Sequence, residues 1–83
     1  MNLKLIYYYN LHCGSCSTYI DVVEKLSKVF GIDLEMYNID FGKPEDKLEG
    51  IPTLILKNND VEIWRSIGNV PFQQVYKDLK DFV

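Results

Sequence analysis

The sequence predicts an α/β chain with the element order β-α-β-β-β-α. Three observations carry that prediction. A run of aliphatic and aromatic residues with one charge spans 3–9, an apolar stripe of helical period runs from 16 to 30, and two short apolar runs flank Asn58-Asn59-Asp60. The first β-α-β unit should be a right-handed parallel crossover and the last two strands an antiparallel hairpin.

Each element has its own signal. Leu3-Lys4-Leu5-Ile6-Tyr7-Tyr8-Tyr9 reads as a strand covered on both faces, and Asn10-Leu11-His12-Cys13-Gly14 breaks it. From there Cys16, Tyr19, Ile20, Val23, Leu26 and Phe30 recur at helical spacing. Asp21–Lys25 and Glu24–Lys28 make acid-first i,i+4 pairs, and Gly31 supplies the stop. Ile32, Leu34 and Met36 alternate with Asp33, Glu35 and Tyr37, an edge-like strand with its apolar positions turned inward. Asp40 to Gly50 is turn-rich, with Pro44-Glu45-Asp46 as the place for one short helical turn. Thr53–Lys57 reads as a buried strand and Val61–Ile67 as its hairpin return. Pro71 then opens a helix whose stripe is Phe72, Val75, Tyr76, Leu79 and Phe82.

Composition narrows the function classes. The chain of 83 residues is 47% hydrophobic and 25% charged, which predicts one folded domain over 1–83. A net charge of −3 with no basic run gives no footprint for nucleic acid. Apolar runs such as Leu54-Ile55-Leu56 fall far short of a membrane span, and the tyrosine-rich start does not read as a secretory leader, so the expected location is the cytoplasm. Two cysteines do not make a secreted disulfide scaffold.

Those two cysteines are where the chemistry points. Cys13-Gly14-Ser15-Cys16 lies where a strand ends and a helix begins. The unpaired N–H groups and positive dipole end of a first helical turn favour a thiolate on Cys13. Cys16, one turn on, is placed to resolve a mixed disulfide, although its place on the apolar stripe also suits a small core residue. Gly14 and Ser15 are small enough for a partner's backbone to approach. A tetrahedral metal site needs four ligands, and the chain offers two cysteines and one histidine, His12, so neither metal nor cofactor is expected. His12 is a candidate base or electrostatic tuner of Cys13.

With these residues in hand, the chain resembles the thioredoxin and glutaredoxin superfamily in its short form. The match runs from the first strand and Cys13-Gly14-Ser15-Cys16 through Tyr37-Asn38-Ile39-Asp40, Gly50-Ile51-Pro52-Thr53-Leu54, the hairpin and Gly68 to the last helix. The resemblance implies a four-stranded mixed sheet with helices on both faces. It also implies a cis Pro52, Ile51 as a strand-like dock for substrate, and Gly68 as the residue that brings the last hairpin to the site.

The implied activity is dithiol–disulfide exchange, with Cys13 as nucleophile and Cys16 as resolving thiol. Its partners would be a disulfide-containing protein and a flavoprotein disulfide reductase, acting on a monomer. The alternatives are a glutathione-dependent redoxin and a non-enzymatic binding module or metal carrier on the same fold. The chain departs from the thioredoxin pattern in having the minimal core without the extra first strand and helix, and in Gly14-Ser15 between the cysteines. Residues 41–49 are short for the helix usual before the cis-proline strand, and there are three substitutions. His12 stands where tryptophan is usual, Tyr7 where a buried aspartate is usual, and Met36 where that aspartate's lysine partner is usual.

Of the remaining residues, alternation puts Tyr7 and Tyr9 on one face of the first strand and Tyr8 on the other. Trp64 reads as sheet-to-helix packing. Glu45, Asp46 and Glu49, interleaved with Lys43 and Lys47, read as a solvated loop.

Overall fold

The computed structural model describes residues 2–10, 12–14 and 16–83, the side chain of Cys16 excepted. In chain order the elements are β1 (Leu3–Tyr9), α1 (Cys16–Phe30), β2 (Asp33–Asn38), β3 (Thr53–Asn58), β4 (Val61–Ile67) and α2 (Phe72–Leu79). The strands form one sheet in the order β2-β1-β3-β4. β1 pairs parallel to β2, with Tyr7 opposite Met36, and antiparallel to β3, with Tyr8 opposite Thr53. β3 and β4 form the expected antiparallel hairpin.

α1 forms because its stripe has somewhere to go. Tyr19, Val23 and Leu26 are buried, while the acid–base pairs at 21, 24, 25 and 28 lie on the exposed side. Gly31 ends the helix at φ +65°, a conformation that costs glycine little. The Ile32 N–H then reaches back to the Ser27 carbonyl at 3.0 Å, and the Ser27 hydroxyl donates to the Ile32 carbonyl.

Leu5 and Tyr7 of β1, Leu54 and Leu56 of β3, and Val75 and Leu79 of α2 join the α1 residues in one cluster. Both helices therefore cover the same face. Phe30 stacks on Tyr76 at 5.1 Å, and the Lys25 ammonium sits 4.5 Å from the Phe72 ring centroid, tying α1 to α2. Trp64 packs against this cluster, as its alternation suggests.

The opposite face corrects the sequence reading. Ile6, Tyr8 and Ile55 are buried there, but what covers them is Ile39 and Leu48 of the irregular segment 39–50 rather than a helix. The short turn expected at Pro44-Glu45-Asp46 is likewise not helical. Gly42, Pro44 and Gly50 leave only residues 45–49 free of breakers, too few to repay helix nucleation.

Asp46 instead binds the sheet. It accepts a 2.7 Å hydrogen bond from the Tyr8 hydroxyl and pairs with Lys57 Nζ at 2.9 Å, so β1 and β3 are clamped to one loop. Arg65 of β4 adds a 2.8 Å bond to the Lys47 carbonyl. The acidic stretch is thus not uniformly solvated: Glu45 and Glu49 are exposed, whereas the Asp46 side chain is 14% exposed.

Three apolar assignments also change, one of them Tyr76 of α2, which is 38% exposed although its ring stacks on Phe30. Met36 is 44% exposed, because it lies on the edge strand beyond the reach of the helices. Phe82 follows the end of α2 at Leu79 and is 36% exposed, outside the stripe it was expected to extend.

The hairpin turn carries a direct test. Asn59 and Asp60 have φ of +52° and +68°, the geometry of a two-residue turn that favours Asn-Gly. Asp60→Gly should raise stability by up to about 1 kcal/mol by removing the side-chain penalty at positive φ. Urea unfolding midpoints at unchanged slope would measure it.

Candidate active site

The register gathers the candidate residues at one end of the sheet. The chain leaves β1 at Tyr9 and β2 at Asn38, which are paired, so both parallel strands end there. β3 enters at the same end, with Thr53 beside Tyr8, and β4 leaves there, with Ile67 beside Thr53. Residues 10, 12–14 and 16, 39–41, 50–52 and 68–71 therefore rim the carboxyl ends of the parallel strands, the place where α/β sheets present ligand sites.

Cys13 sits in this rim between β1 and the start of α1. It is partly exposed, its N–H points to the Asn10 carbonyl at 3.4 Å, and it is disulfide-bonded. His12 and Gly14 beside it are exposed. Ser15 and the side chain of Cys16, on which two of the expectations fall, lie outside the described residues. The backbone at 16 begins α1, so the positive end of the helix dipole lies at the turn.

On the facing loop the Ile51–Pro52 bond is cis, as the resemblance implies. Pro52 is buried and Ile51 partly exposed. Gly68, at φ +89°, donates its N–H to the Pro52 carbonyl at 2.7 Å. The structure thus joins Pro52 and Gly68 directly, through the bond that continues the β3–β4 ladder past its last pair. Thr53, fully buried, holds the loop from behind by donating its hydroxyl to the Gly50 carbonyl.

Beneath the turn lie three tyrosines. Tyr7 is fully buried, stacks on Tyr9 with centroids 5.7 Å apart, and tilts against Tyr19 at 6.1 Å. Tyr7 and Tyr9 share one face and Tyr8 takes the other, as alternation along β1 predicts, and the structure shows the shared face to be the helix side. Burial, with smaller contributions from Tyr19 and Tyr9, pushes the Tyr7 phenol up to about 12, and burial raises Tyr19 as well. Both phenols thus stay neutral across the physiological range. Tyr19 Oη and Ser66 Oγ approach each other behind the rim, buried, without reaching hydrogen-bond geometry.

One part of the rim had no sequence signal. Thr18, Tyr19 and Val22 of α1 face Asn69, Val70 and Pro71 across a cleft of about 240 Å³. It opens where α2 begins, and only the register of β4 against β3 brings that segment to α1.

Comparison with known proteins agrees with this geometry at the level of the fold. No protein-family model matches the chain, and no curated protein sequence matches it. Among solved structures, thioredoxin 1 from the thermophilic eubacterium Thermosipho africanus is similar over 95% of this chain and 92% of its own, at 26% identity and a TM-score of 0.84. A mutant thioredoxin from Halobacterium salinarum is similar over 98% of this chain and 74% of its own, at 19% identity and a TM-score of 0.79. A structure described as a malarial protein is similar over 98% of this chain and 97% of its own, at 21% identity and a TM-score of 0.85. By strand order, helix placement and these likenesses, the chain has the thioredoxin-like superfamily fold.

Proposed function

We propose that this protein is a small thiol–disulfide oxidoreductase, one domain over 1–83, reducing disulfides of other proteins in the cytoplasm. The observation that supports it most is a disulfide-bonded Cys13 in the strand-to-helix turn of a thioredoxin-like fold. In this reading the reduced protein docks an extended substrate segment along Ile51, Pro52 and Gly68. The Cys13 thiolate attacks one substrate sulfur, so the substrate S–S bond breaks, a Cys13–substrate disulfide forms, and the first substrate thiolate leaves. The Cys16 thiol then loses its proton and attacks Cys13. The second substrate thiolate leaves, and two electrons have passed from the Cys13/Cys16 pair to the substrate. His12, Gly14 and Ser15 set access and electrostatics at the attacking sulfur. No metal or cofactor enters the cycle.

The electron donor follows from charge. Glutathione is anionic, and Asn10, Leu11 and His12 place no lysine or arginine ahead of Cys13. Lys4 lies at the far end of β1, paired with Glu35 at 2.9 Å. A flavoprotein disulfide reductase docking on the rim is therefore the expected donor. Steady-state reduction of a protein disulfide with each donor tests this. Turnover with the reductase and NADPH, and a two-electron redox titration, are the expected results. Rapid turnover with physiological glutathione would move the protein to the glutathione-dependent class. A chain with no dithiol couple, or one that purifies with stoichiometric metal, would be a carrier or binding module.

A further inference from the structure

We propose that two copies of this chain associate through β2, joining their sheets edge to edge. β2 is hydrogen-bonded to β1 on one side, and among the described residues its outer side meets no strand. Such edges are normally guarded by bulges, prolines or charges that resist pairing. β4, the other edge, is guarded: the ladder is bulged between Leu56 and Lys57, and Glu62 and Arg65 form a two-bond ion pair on it. β2 has neither bulge nor proline; it carries Asp33 and Glu35, the latter paired with Lys4, but much of the surface beside it is apolar. Met36 is 44% exposed, Tyr37 47% and Phe41 84%, and all three line a cavity of about 290 Å³ with Tyr8, Ile39 and Pro44.

The occupant is identified by the self-complementarity of the strand. An antiparallel pair related by a two-fold axis normal to the sheet keeps every residue on its own face. The axis must therefore pass through a residue position rather than between two. Centred on Met36, the pairing sets Met36 against Met36, Leu34 against Asn38, and Glu35 against Tyr37. No like charges meet, and the phenol of Tyr37, which donates to Glu35 within its own strand at 2.5 Å, has the same acceptor opposite it in the other copy. Lys4 already balances Glu35. Centred on residue 35, the carboxylates of Glu35 would face each other. Centred on residue 37, each would face Ile39. The Met36 register is the one that satisfies both charge and burial, and it lays Phe41 and Tyr37 of each copy against the seam.

The seam runs along β2 and takes in Phe41 at that edge of the rim, whereas Pro52 and Gly68 lie on the β3–β4 side, so the substrate-docking half of the candidate site stays open in the pair. Association is thus independent of the redox reading and can be tested without it.

Analytical ultracentrifugation from micromolar to millimolar protein, with excess reductant to exclude intermolecular disulfides, should show the mass rising from 9.7 kDa toward that of a dimer. Met36→Lys and Met36→Glu, at an exposed position, should each stay monomeric, because each places like charges on the axis. An equimolar mixture of the two should associate again. A wild type that stays at 9.7 kDa throughout, a dimer found only without reductant, or a Met36→Lys variant that associates as well as wild type would each overturn the proposal.

Discussion

Cys16→Ser should convert the protein from a catalyst into a trap. In the proposed cycle Cys13 forms the covalent adduct and the second thiol releases it. Removing the second thiol stops the reaction after one bond exchange. Incubated with a disulfide-containing protein, Cys16→Ser should accumulate a stoichiometric mixed disulfide through Cys13. Cys13→Ser should form none, and both variants should lose multiple turnover to the uncatalysed level. The partial exposure of Cys13 in the turn favours this division of labour, since an attacking sulfur needs an approach path. Intact-mass spectrometry followed by peptide mapping reads the outcome. An adduct on Cys16 in the Cys13→Ser protein would reverse the assignment, and adducts on neither would remove the oxidoreductase reading altogether.

The second large effect is on stability. Asp46→Ala should cost about 2–3 kcal/mol, the range expected when one member of a mostly buried ion pair is removed and its partner is left behind. Lys57 is only 13% exposed and would lose its ion-pair partner, while Tyr8 would lose its acceptor. For a domain of this size that loss corresponds to a fall in Tm of roughly 10–20 °C. The double variant Asp46→Ala/Lys57→Met should recover part of it, because the stranded ammonium is gone.

The pH dependence has a defined sign. Burial alone would raise the Asp46 carboxyl, but hydrogen bonds from Lys57 and Tyr8 outweigh it and hold it below its ordinary value. Its contribution is therefore complete above pH of about 4 and is lost as pH falls through the lowered folded-state value. Wild type should lose stability over that acidic window, and Asp46→Ala should lose less. A flat wild-type profile there, or an alanine variant with unchanged Tm, would remove Asp46 from the anchoring role.

This anchor shows where sequence reasoning stops. Leu3–Tyr9 and Cys16–Phe30 declare themselves because period and burial agree within a single element, and Asn59-Asp60 because a turn residue is chosen by local φ. The end of the sheet that holds Cys13, Pro52 and Gly68 was legible because sequence motifs mark strand ends, and strand ends are brought together by register. Asp46 was not legible. Nothing near it in the chain distinguishes it from Glu45 or Glu49, and its partners are Tyr8 and Lys57, which only the fold brings near. The one outward hint was Lys57, directly after the apolar run Leu54-Ile55-Leu56 in β3. Met36 misled for a related reason: alternation says which side of a strand a residue takes, but the place of that strand in the sheet decides whether anything covers it.

The strand order also shapes how the chain is made. β1 is made before every other strand of the sheet yet sits inside it, and its inner neighbour β3 begins only at Thr53. While residues up to about 50 are emerging, β2 can protect one side of β1. The other side, with Leu5, Ile6, Tyr7 and Tyr8, has no native strand to pair with. These four residues are buried in the finished protein and form a β-prone run without charge. Nascent chains stalled between β2 and β3 should therefore be the species most prone to aggregate and to recruit a holdase. Arrival of the β3–β4 hairpin should end that exposure in a single step.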